Sequence, residues 1–275
     1  MLFDGEFIRH GIEITYVDPD NPRDWRKAMR ENTRAIFVEA VTNPVMRVLN
    51  VPMLAKLARE HGVALLVDST FASPINLRPL EHGADIVITS ATKYLNGHSD
   101  VIAGAVAGST GLIEEVTRLM RVWGPSIDPH AAWLTERGMK TLALRVQRAN
   151  ANALAVAKWA STRPEFETVH YPGLKSHPDH ALAARLLDGY GGLVGLVLKG
   201  GSPAAQRLLQ RLKVIVHAPS LAGVESLISE PRLTSHKPLT AEARASQGVP
   251  DGFLRLSCGC EDADDIINDL AGALQ

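Results

Sequence analysis

The first half of the sequence repeats one pattern that strongly limits the available folds: a short apolar run, a turn, and then a helical segment. Four such runs, rich in β-branched and aliphatic residues, predict strands at residues 11–17, 34–40, 63–68 and 85–90. Because these runs are almost continuously apolar, they favour a mostly parallel sheet with helices on both faces. The expected fold class is therefore α/β.

The segment between the second and third runs carries the clearest helix signal. Pro52 stands in the first turn, apolar residues follow at helical spacing, and Gly62 ends the helix. This gives a β-α-β unit. A further buried strand is predicted at residues 101–108, and the Gly and Pro residues of "VWGPSIDPH" then interrupt the pattern, which indicates a domain boundary near residues 130–140.

A long amphipathic helix is predicted at residues 141–160, where apolar side chains form one stripe: Leu142, Val146, Ala149, Ala153, Val156 and Ala160. Beyond it, strand-like runs at 191–200, 212–219 and 252–259 mix with predicted helices near 180–188, 203–211 and 262–274. We therefore predict three parts: a large α/β domain over residues 1–138, a connecting helix over 139–160, and a smaller α+β C-terminal domain over 161–275.

Composition excludes several classes of function. The chain has 275 residues, 45% hydrophobic and 21% charged, with a formal net charge of −1, so no electrostatic feature indicates nucleic acid or anionic lipid as a partner. Charged residues near the start (Asp4, Glu6 and Arg9) exclude a signal peptide there, and we expect a cytoplasmic protein. The two cysteines, Cys258 and Cys260, are predicted to be small core side chains on one face of a strand.

Polar residues follow three of the predicted strands. Asn43 comes after the second run, Asp68 ends the third, and Ser90, Thr92 and Lys93 follow the fourth. Ligands of open α/β sheets bind at the carboxyl ends of parallel strands, so these side chains are expected at one site. Alone, Lys93 could be a surface lysine and Asp68 a helix N-cap; their joint occurrence at three strand ends favours a site.

An aspartate and a lysine at neighbouring strand ends fit a pyridoxal 5′-phosphate pocket. The lysine amine forms a Schiff base with the cofactor, and the carboxylate keeps the pyridine nitrogen protonated so that the ring withdraws electrons. Ser90 and Thr92 could bind the phosphate as neutral donors. A lysine in such a pocket is readily kept neutral for attack on an aldehyde.

The segment "VDSTFASPINLRPLEHGADIVITSATKYLNGHSDVIAGAV" resembles the cofactor-binding segment of the Cys/Met-metabolism (transsulfuration) pyridoxal phosphate enzymes, among them cystathionine γ-synthases, cystathionine γ-lyases and methionine γ-lyases. Further motifs extend the resemblance in the same order over nearly the whole chain, at residues 41–48, 171–183, 218–236 and 250–266. The resemblance implies a fold-type I transferase large domain with a smaller C-terminal domain.

The resemblance also implies roles for individual residues. Lys93 corresponds to the Schiff-base lysine that later moves protons between substrate carbons, and Asp68 to the partner of the ring nitrogen. Ser90 and Thr92 correspond to phosphate ligands, and Asn43 to a residue near both the phenolic oxygen of the cofactor and the substrate carboxylate.

The C-terminal domain contributes the substrate-binding residues that the resemblance implies. Arg255 matches the arginine that binds the α-carboxylate, for which a bidentate guanidinium suits better than an ammonium, and Ser220 matches a residue that helps to hold the same group. The implied reaction is β/γ-elimination or γ-replacement on cysteine-, homocysteine- or homoserine-derived amino acids, performed by homodimers or tetramers.

Two departures from the family pattern bear on activity and substrate. The N-terminal segment of the family, which carries a glycine-containing phosphate loop, a ring-stacking tyrosine and a Tyr/Arg pair for the neighbouring subunit, has no counterpart in this sequence. The alternative expectation is therefore a catalytically impaired fragment or a non-catalytic partner subunit. Pro219 stands where many relatives have a glutamate, so cleavage of cystathionine itself is less firmly predicted.

Two other signals are assigned structural interpretations. A nicotinamide oxidoreductase would share the early β/α pattern, but the sequence has no G-x-G-x-x-G between a strand and a helix. The "HPDH" segment at 177–180 could bind a metal, yet Pro178 interrupts the helical spacing that would align its histidines, so we predict a solvated loop and no metal site.

Overall fold

Two separate β-sheets organise the chain in the computed structural model, which describes residues 2–19 and 21–275. The strands of the first sheet are adjacent in chain order: β1 (Ala35–Glu39), β2 (Ala64–Asp68), β3 (Ile86–Ser90) and β4 (Gly104–Gly108). β1, β2 and β3 are parallel, and β4 joins β3 antiparallel. The strands predicted at 34–40, 63–68 and 85–90 are thereby confirmed.

The first region contains five α-helices within the described residues, α1 (Pro22–Ala28), α2 (Val51–His61), α3 (Ser73–Asn76), α4 (Thr110–Trp123) and α5 (Pro129–Met139). Of these, α2 contacts β2 and α4 contacts β4. The predicted helix after β1 is confirmed as α2. The Asn50 side chain accepts a hydrogen bond from the Met53 N–H at its start, and Gly62 ends it in the left-handed conformation (φ 64°), which glycine adopts without steric cost. Single helical turns also occur at Leu2–Phe7, Pro79–His82 and Pro231–Leu233.

Two sequence predictions about this region are wrong. Residues 11–17 form no strand; they are mostly exposed and pair with none of the strands that the structure describes. β4 exists, but it is exposed rather than buried, with Val106 41% exposed. A strand acquires its burial from the layers packed on it, and β4 lies at the sheet edge with little cover.

The second sheet has the order β5-β6-β9-β8-β7, and its strands are β5 (Phe166–His170), β6 (Leu193–Leu198), β7 (Val216–His217), β8 (Leu227–Ser229) and β9 (Phe253–Ser257). Only β7 and β8 pair in parallel. Every residue of β6 and β9 is buried. The runs predicted at 191–200 and 252–259 are confirmed, the run at 212–219 shortens to β7, and the sequence analysis did not predict β5 and β8.

The helices of this region are α6 (Leu142–Ala160), α7 (His180–Leu186), α8 (Gly201–Arg211), α9 (Ala241–Ser246) and α10 (Ala263–Ala273). α6 confirms the predicted long helix, and its apolar stripe contributes to both hydrophobic cores. Val146 packs in the core of the first sheet, and Val156 packs in that of the second. This arrangement fits the predicted division at residues 138 and 160, which stays a prediction.

The "HPDH" segment joins the two regions instead of forming the predicted solvated loop. Asp179 accepts hydrogen bonds from Arg47 Nε at 2.6 Å and from the Val48 N–H at 2.9 Å. His177 is only 5% exposed, and its Nδ1 accepts the Asp179 N–H. The prediction failed because it could not foresee Arg47, 132 residues away in the chain.

The remaining sequence predictions concern membranes, metals and cysteines. None of the helices in the described part of the chain is long and apolar enough to cross a bilayer. No group of three or more His, Cys, Asp or Glu side chains placed to hold a metal ion occurs among residues 2–19 and 21–275. Cys258 is a fully buried core residue as predicted, whereas Cys260 is only partly buried and both lie beyond the end of β9.

Candidate active site

The carboxyl ends of β1, β2 and β3 form one polar edge of the first sheet. Asp68 lies opposite Glu39 and Ile88 in the register of the strands. Its Oδ1 accepts the Thr70 N–H at 2.8 Å, and Thr70 Oγ1 in turn accepts the Ser90 N–H at 2.9 Å. The structure thus connects two predicted site residues, Asp68 and Ser90, through Thr70.

Lys93 follows β3 in a tight turn, and its amine faces the C-terminal half of the chain. Lys93 Nζ donates a hydrogen bond to Ser220 Oγ at 3.0 Å. Within the described ranges, no carboxylate forms an ion pair with this amine. Burial and then the charge of Arg255 lower the pKa of Lys93, which shifts the amine in the direction of its neutral, nucleophilic form.

A buried arginine behind the lysine turn fixes its backbone. Arg145 of α6 is 7% exposed and donates to the carbonyls of Tyr94 at 2.9 Å and of Leu95 at 3.3 Å. Gly97 has a φ of 74°, and a Cβ at this position would collide with the Arg145 guanidinium. Glycine is required here both by the backbone conformation and by the space.

The Thr92 hydroxyl ties the lysine turn to the segment before β4. It donates to the Ala103 carbonyl at 3.2 Å and accepts the Ala103 N–H at 2.9 Å. The hydroxyl therefore lies in the lysine turn as predicted, but its hydrogen bonds are made with the backbone.

Arg255 brings the second sheet to this site. It lies on β9, between β6 and β8, and is only 5% exposed. Its Nη1 donates to Asn43 Oδ1 at 2.8 Å, and its Nη2 donates to the Pro219 carbonyl at 2.9 Å. Burial lowers the pKa of Arg255 to about 10, which leaves it cationic at neutral pH. Its buried Nε has no hydrogen-bond partner in the part of the chain that the structure describes, so a donor remains available to an anionic ligand.

Asn43 is held from its other side by a residue that the sequence analysis did not select. The Asn43 N–H donates to Glu39 Oε2 at 2.8 Å. Burial raises the pKa of Glu39 to about 7, the Asn43 N–H opposes this shift, and the negative charge of Asp68 adds to it. The signal was present in "FVEAVTNP", where an acidic residue ends a buried strand at the same level as Asp68.

The predicted site residues occupy one continuous region, and its chemistry fits pyridoxal phosphate. A hydrogen-bonded series runs from Lys93 through Ser220 and Arg255 to Asn43. Asp68 forms no salt bridge within residues 2–19 and 21–275, so its carboxylate is available to a protonated ring nitrogen. An unpaired carboxylate, an amine with a lowered pKa and an arginine with an unused donor are the groups that this cofactor and an amino-acid carboxylate require.

Comparison with known proteins connects this site with a family. The family model described as "Cys/Met metabolism PLP-dependent enzyme" matches residues 1–275. The chain is 40% identical over 270 residues to the L-methionine gamma-lyase of Fusobacterium nucleatum subsp. polymorphum, with 97% of this chain and 68% of that protein covered. It is 39% identical to the chloroplastic cystathionine gamma-synthase 1 of Arabidopsis thaliana, covering 96% of this chain and 47% of that protein.

A solved structure gives the same result for the fold. The crystal structure of cystathionine gamma-lyase from Lactobacillus plantarum complexed with L-serine superposes with a TM-score of 0.94 at 36% sequence identity. The superposition covers 98% of this chain and 71% of that one. The predicted α/β fold of the transferase type is thereby confirmed. The chain spans about two thirds of the bacterial relative and about half of the plant relative.

Proposed function

Since the chain belongs to the Cys/Met-metabolism family of pyridoxal phosphate-dependent enzymes, we propose that it catalyses β/γ-elimination or γ-replacement on an amino acid derived from cysteine, homocysteine or homoserine. The observation that carries this proposal is the hydrogen-bonded series from Lys93 to Asn43, which lies at the same sheet edge as Asp68. It places a nucleophilic amine and a buried guanidinium around one site.

Pyridoxal phosphate, when bound, supplies an aldehyde that reacts with amines and a ring that withdraws electrons from the substrate carbons. In this proposal Lys93 binds the aldehyde, and Asp68 binds the protonated ring nitrogen. Ser90 donates a hydrogen bond to the phosphate, and Thr92, in the same turn as Lys93, also helps to bind the phosphate. Asp68 can serve because it ends β2 at the site and no side-chain cation within the described residues neutralises it.

Lys93 and Arg255 have different roles towards the substrate: Lys93 transfers protons, and Arg255 binds the carboxylate. Once the amine of the substrate has displaced Lys93 from the cofactor aldehyde, the released neutral Lys93 amine can take the α-proton and return it to another carbon, and the Ser220 hydroxyl orients the amine. Arg255 binds the α-carboxylate with its free Nε–H and an Nη–H, while Asn43 keeps the guanidinium in place. This orientation fixes which bond of the α-carbon breaks.

The substrate is proposed to react at its γ-carbon, as in a cystathionine γ-synthase or γ-lyase, because the relatives described above carry gamma-lyase or gamma-synthase names. Pro219 lies next to Ser220 and offers no charge to a distal amino group. We further propose that residues 1–138 bind the cofactor, that residues 161–275 complete the substrate pocket, and that the protein is a cytoplasmic homo-oligomer.

An absorbance spectrum tests the proposal first. The purified chain, incubated with pyridoxal phosphate, is expected to show a visible band that borohydride removes, and Lys93→Ala is expected to lack it because the amine is gone. O-acyl homoserines, cystathionine and methionine then serve as test substrates. Absence of the band in both proteins would refute cofactor binding by this chain.

A non-catalytic partner subunit is the second candidate function, and one observation favours it. α4 contains no buried residue, and it exposes large apolar side chains: Val122 is 71% and Trp123 77% exposed. Large apolar side chains on such a helix suit an assembly surface. The same spectrum separates the two candidates, since a normal pyridoxal phosphate content would count against the non-catalytic one.

A further inference from the structure

Glu39 is a carboxylate behind the candidate site that the proposed reaction does not use. It ends β1 directly opposite Asp68 in a parallel register, so the two side chains project from the same face of the sheet. Within the described part of the chain, neither carboxylate is paired with a cation. A largely buried carboxylate beside a second carboxylate destabilises the protein unless hydrogen bonds offset the loss of solvation.

The hydrogen bond of Glu39 leads directly to the substrate-binding arginine. Glu39 Oε2 accepts the backbone N–H of Asn43 at 2.8 Å, and the side chain of the same Asn43 accepts from Arg255 Nη1 at 2.8 Å. Other hydrogen bonds close the loop of Asn43 further along the chain: Thr42 N–H to the Arg47 carbonyl, and Met46 N–H to the Thr42 carbonyl. Among the described residues, Glu39 is therefore the side chain that accepts the backbone N–H of Asn43.

The Asn43 carboxamide in turn restrains only one end of the Arg255 guanidinium. The other contacts, from Nη2 to the Pro219 carbonyl and more weakly to the Ser220 carbonyl, come from the C-terminal domain. The orientation of the free Nε–H depends on both contacts, since the guanidinium is planar and rigid. A shift of Asn43 would rotate the plane that must meet a ligand carboxylate with two parallel hydrogen bonds.

We propose that Glu39 is a positioning residue for substrate binding: through the Asn43 backbone, it holds Arg255 in the orientation that binds the α-carboxylate of the amino acid. This inference rests on the proposed function and assigns a role to a residue outside the cofactor and substrate contacts. Its effect is expected mainly on ligands that carry a carboxylate, because the hydrogen bond of Glu39 leads to Asn43 and Arg255, and no hydrogen bond joins Glu39 to Lys93 or its turn among the described residues. The charge of Asp68 also acts on Glu39, so the cofactor affinity of each variant separates the two effects.

The test uses the cofactor-loaded protein and two probes that differ in one group, L-alanine and L-alaninamide. Binding of each is followed by the change in the visible absorbance band. Glu39→Gln keeps the size of the side chain and an acceptor oxygen. In titrations at a pH above the raised pKa of about 7, where Glu39 is ionised, it replaces a charged acceptor by a weaker neutral one. Glu39→Leu removes the acceptor altogether.

Asp85→Asn is the matched control. Asp85 also accepts one backbone N–H, that of Leu65 at 2.7 Å, but at the opposite end of the same sheet. Asp85→Asn therefore reports the general effect of neutralising a carboxylate that binds the sheet backbone. The cofactor affinity of every variant is measured in the same titrations.

We expect Glu39→Gln to raise the dissociation constant of L-alanine about 5-fold, and Glu39→Leu by more, since a lost or weakened hydrogen bond to a charged group has effects of this order. Binding of L-alaninamide, corrected for any change in cofactor affinity that arises through Asp68, should stay within about 2-fold of the wild type. Asp85→Asn should leave both ligands unaffected.

Equal weakening of the two ligands, or unchanged L-alanine binding in both Glu39 variants, would overturn the positioning role while leaving the proposed function intact. A wild-type protein that shows no visible band would instead refute the proposed function, and this inference with it. The two failures are therefore distinguishable in one set of titrations.

Discussion

Each of the two sheets contains a strand without polar side chains, and these two strands differ completely in burial. β4, with the sequence GAVAG, is exposed over most of its length, whereas β6, with LVGLVL, is buried at every residue. β6 lies inside its sheet, with α6 and α8 packed against it, whereas β4 is an edge strand. Apolar sequence therefore predicts a strand, but the packed layers determine how much stability its side chains provide.

The two regions are also stabilised by different kinds of contact. The lysine turn of the first region depends on the polar contacts of Arg145, whose guanidinium binds three backbone carbonyls. The second region buries the apolar side chains of β6 and β9, among which Val194 and Leu254 are completely buried. Polar contacts position the Lys93 turn without filling the space around it, which suits the proposed role of this turn in a site that admits a ligand.

The largest effect is expected when this polar contact is removed. Arg145→Met leaves buried carbonyls without donors, each at a cost of about 1–3 kcal/mol, so we expect a total loss of about 3 kcal/mol in the free energy of unfolding. Urea denaturation measures this loss. The cofactor band should weaken as well, because the Lys93 turn loses its support.

Arg148→Met is the control for that experiment. Arg148 lies on the same helix, and its exposed guanidinium donates to the Glu261 carbonyl at 2.9 Å. A loss below about 1 kcal/mol is expected for this exposed contact. Equal losses in the two variants would show that the lysine turn does not depend on Arg145.

A matched pair of valine substitutions tests the contrast in burial itself. Val194→Ala in β6 should cost about 2–3 kcal/mol, through the lost transfer free energy and the cavity. Val106→Ala in β4, where the side chain is 41% exposed, should cost about 0.5 kcal/mol or less. If urea denaturation gives equal losses, β4 must be covered in solution, for example by another subunit.

The smallest effect concerns pH and belongs to the contact between the regions. Burial lowers the pKa of His177 to about 4, and the nearby cations act in the same direction against the charge of Asp179. A folded-state pKa below the ordinary value of about 6.5 means that protons bind the unfolded chain more readily. This stabilising contribution is complete above about pH 6.5 and is lost as the pH falls towards 4. Solvent screening reduces it below the full value of the pKa difference, and we expect about 2 kcal/mol.

Unfolding free energies at several pH values measure this contribution. His177→Gln should remove that part of the pH dependence, because glutamine does not titrate. His217→Gln serves as the control, since His217 is exposed on β7. Should the pH profile of His177→Gln coincide with that of the wild type, the buried neutral histidine would not be its cause.

Much of the fold followed from local patterns. The parallel strands β1, β2 and β3 and the helices α2 and α6 were predicted because continuous apolar runs and helical spacing are encoded locally. The short strands β5 and β8 were not predicted, and residues 11–17 were wrongly taken as a strand. Strand formation in such segments depends on a neighbour, and pairing partners are not visible in a local pattern.

The site shows the same limit. Asp68, Ser90, Thr92 and Lys93 could be selected because strand ends of a parallel sheet share one edge. Arg145, by contrast, had no local signal. It lies on a helix whose spacing predicted only the burial of one stripe, and its carbonyl partners in the lysine turn, Tyr94 and Leu95, are 51 and 50 residues away in the chain. Thr70 was equally undetectable, since its partner Ser90 lies on another strand.

The sequence by itself determined the fold class, the family and the residue types that the cofactor chemistry requires, because these depend on short motifs and on their order along the chain. Only the tertiary structure decided that Asn43, Ser220 and Arg255 meet at Lys93, and that Glu39 supports Asn43 from behind. Hydrogen bonds across more than a hundred residues require two sheets to pack in one relative position, and that position results from the packing of both cores on α6.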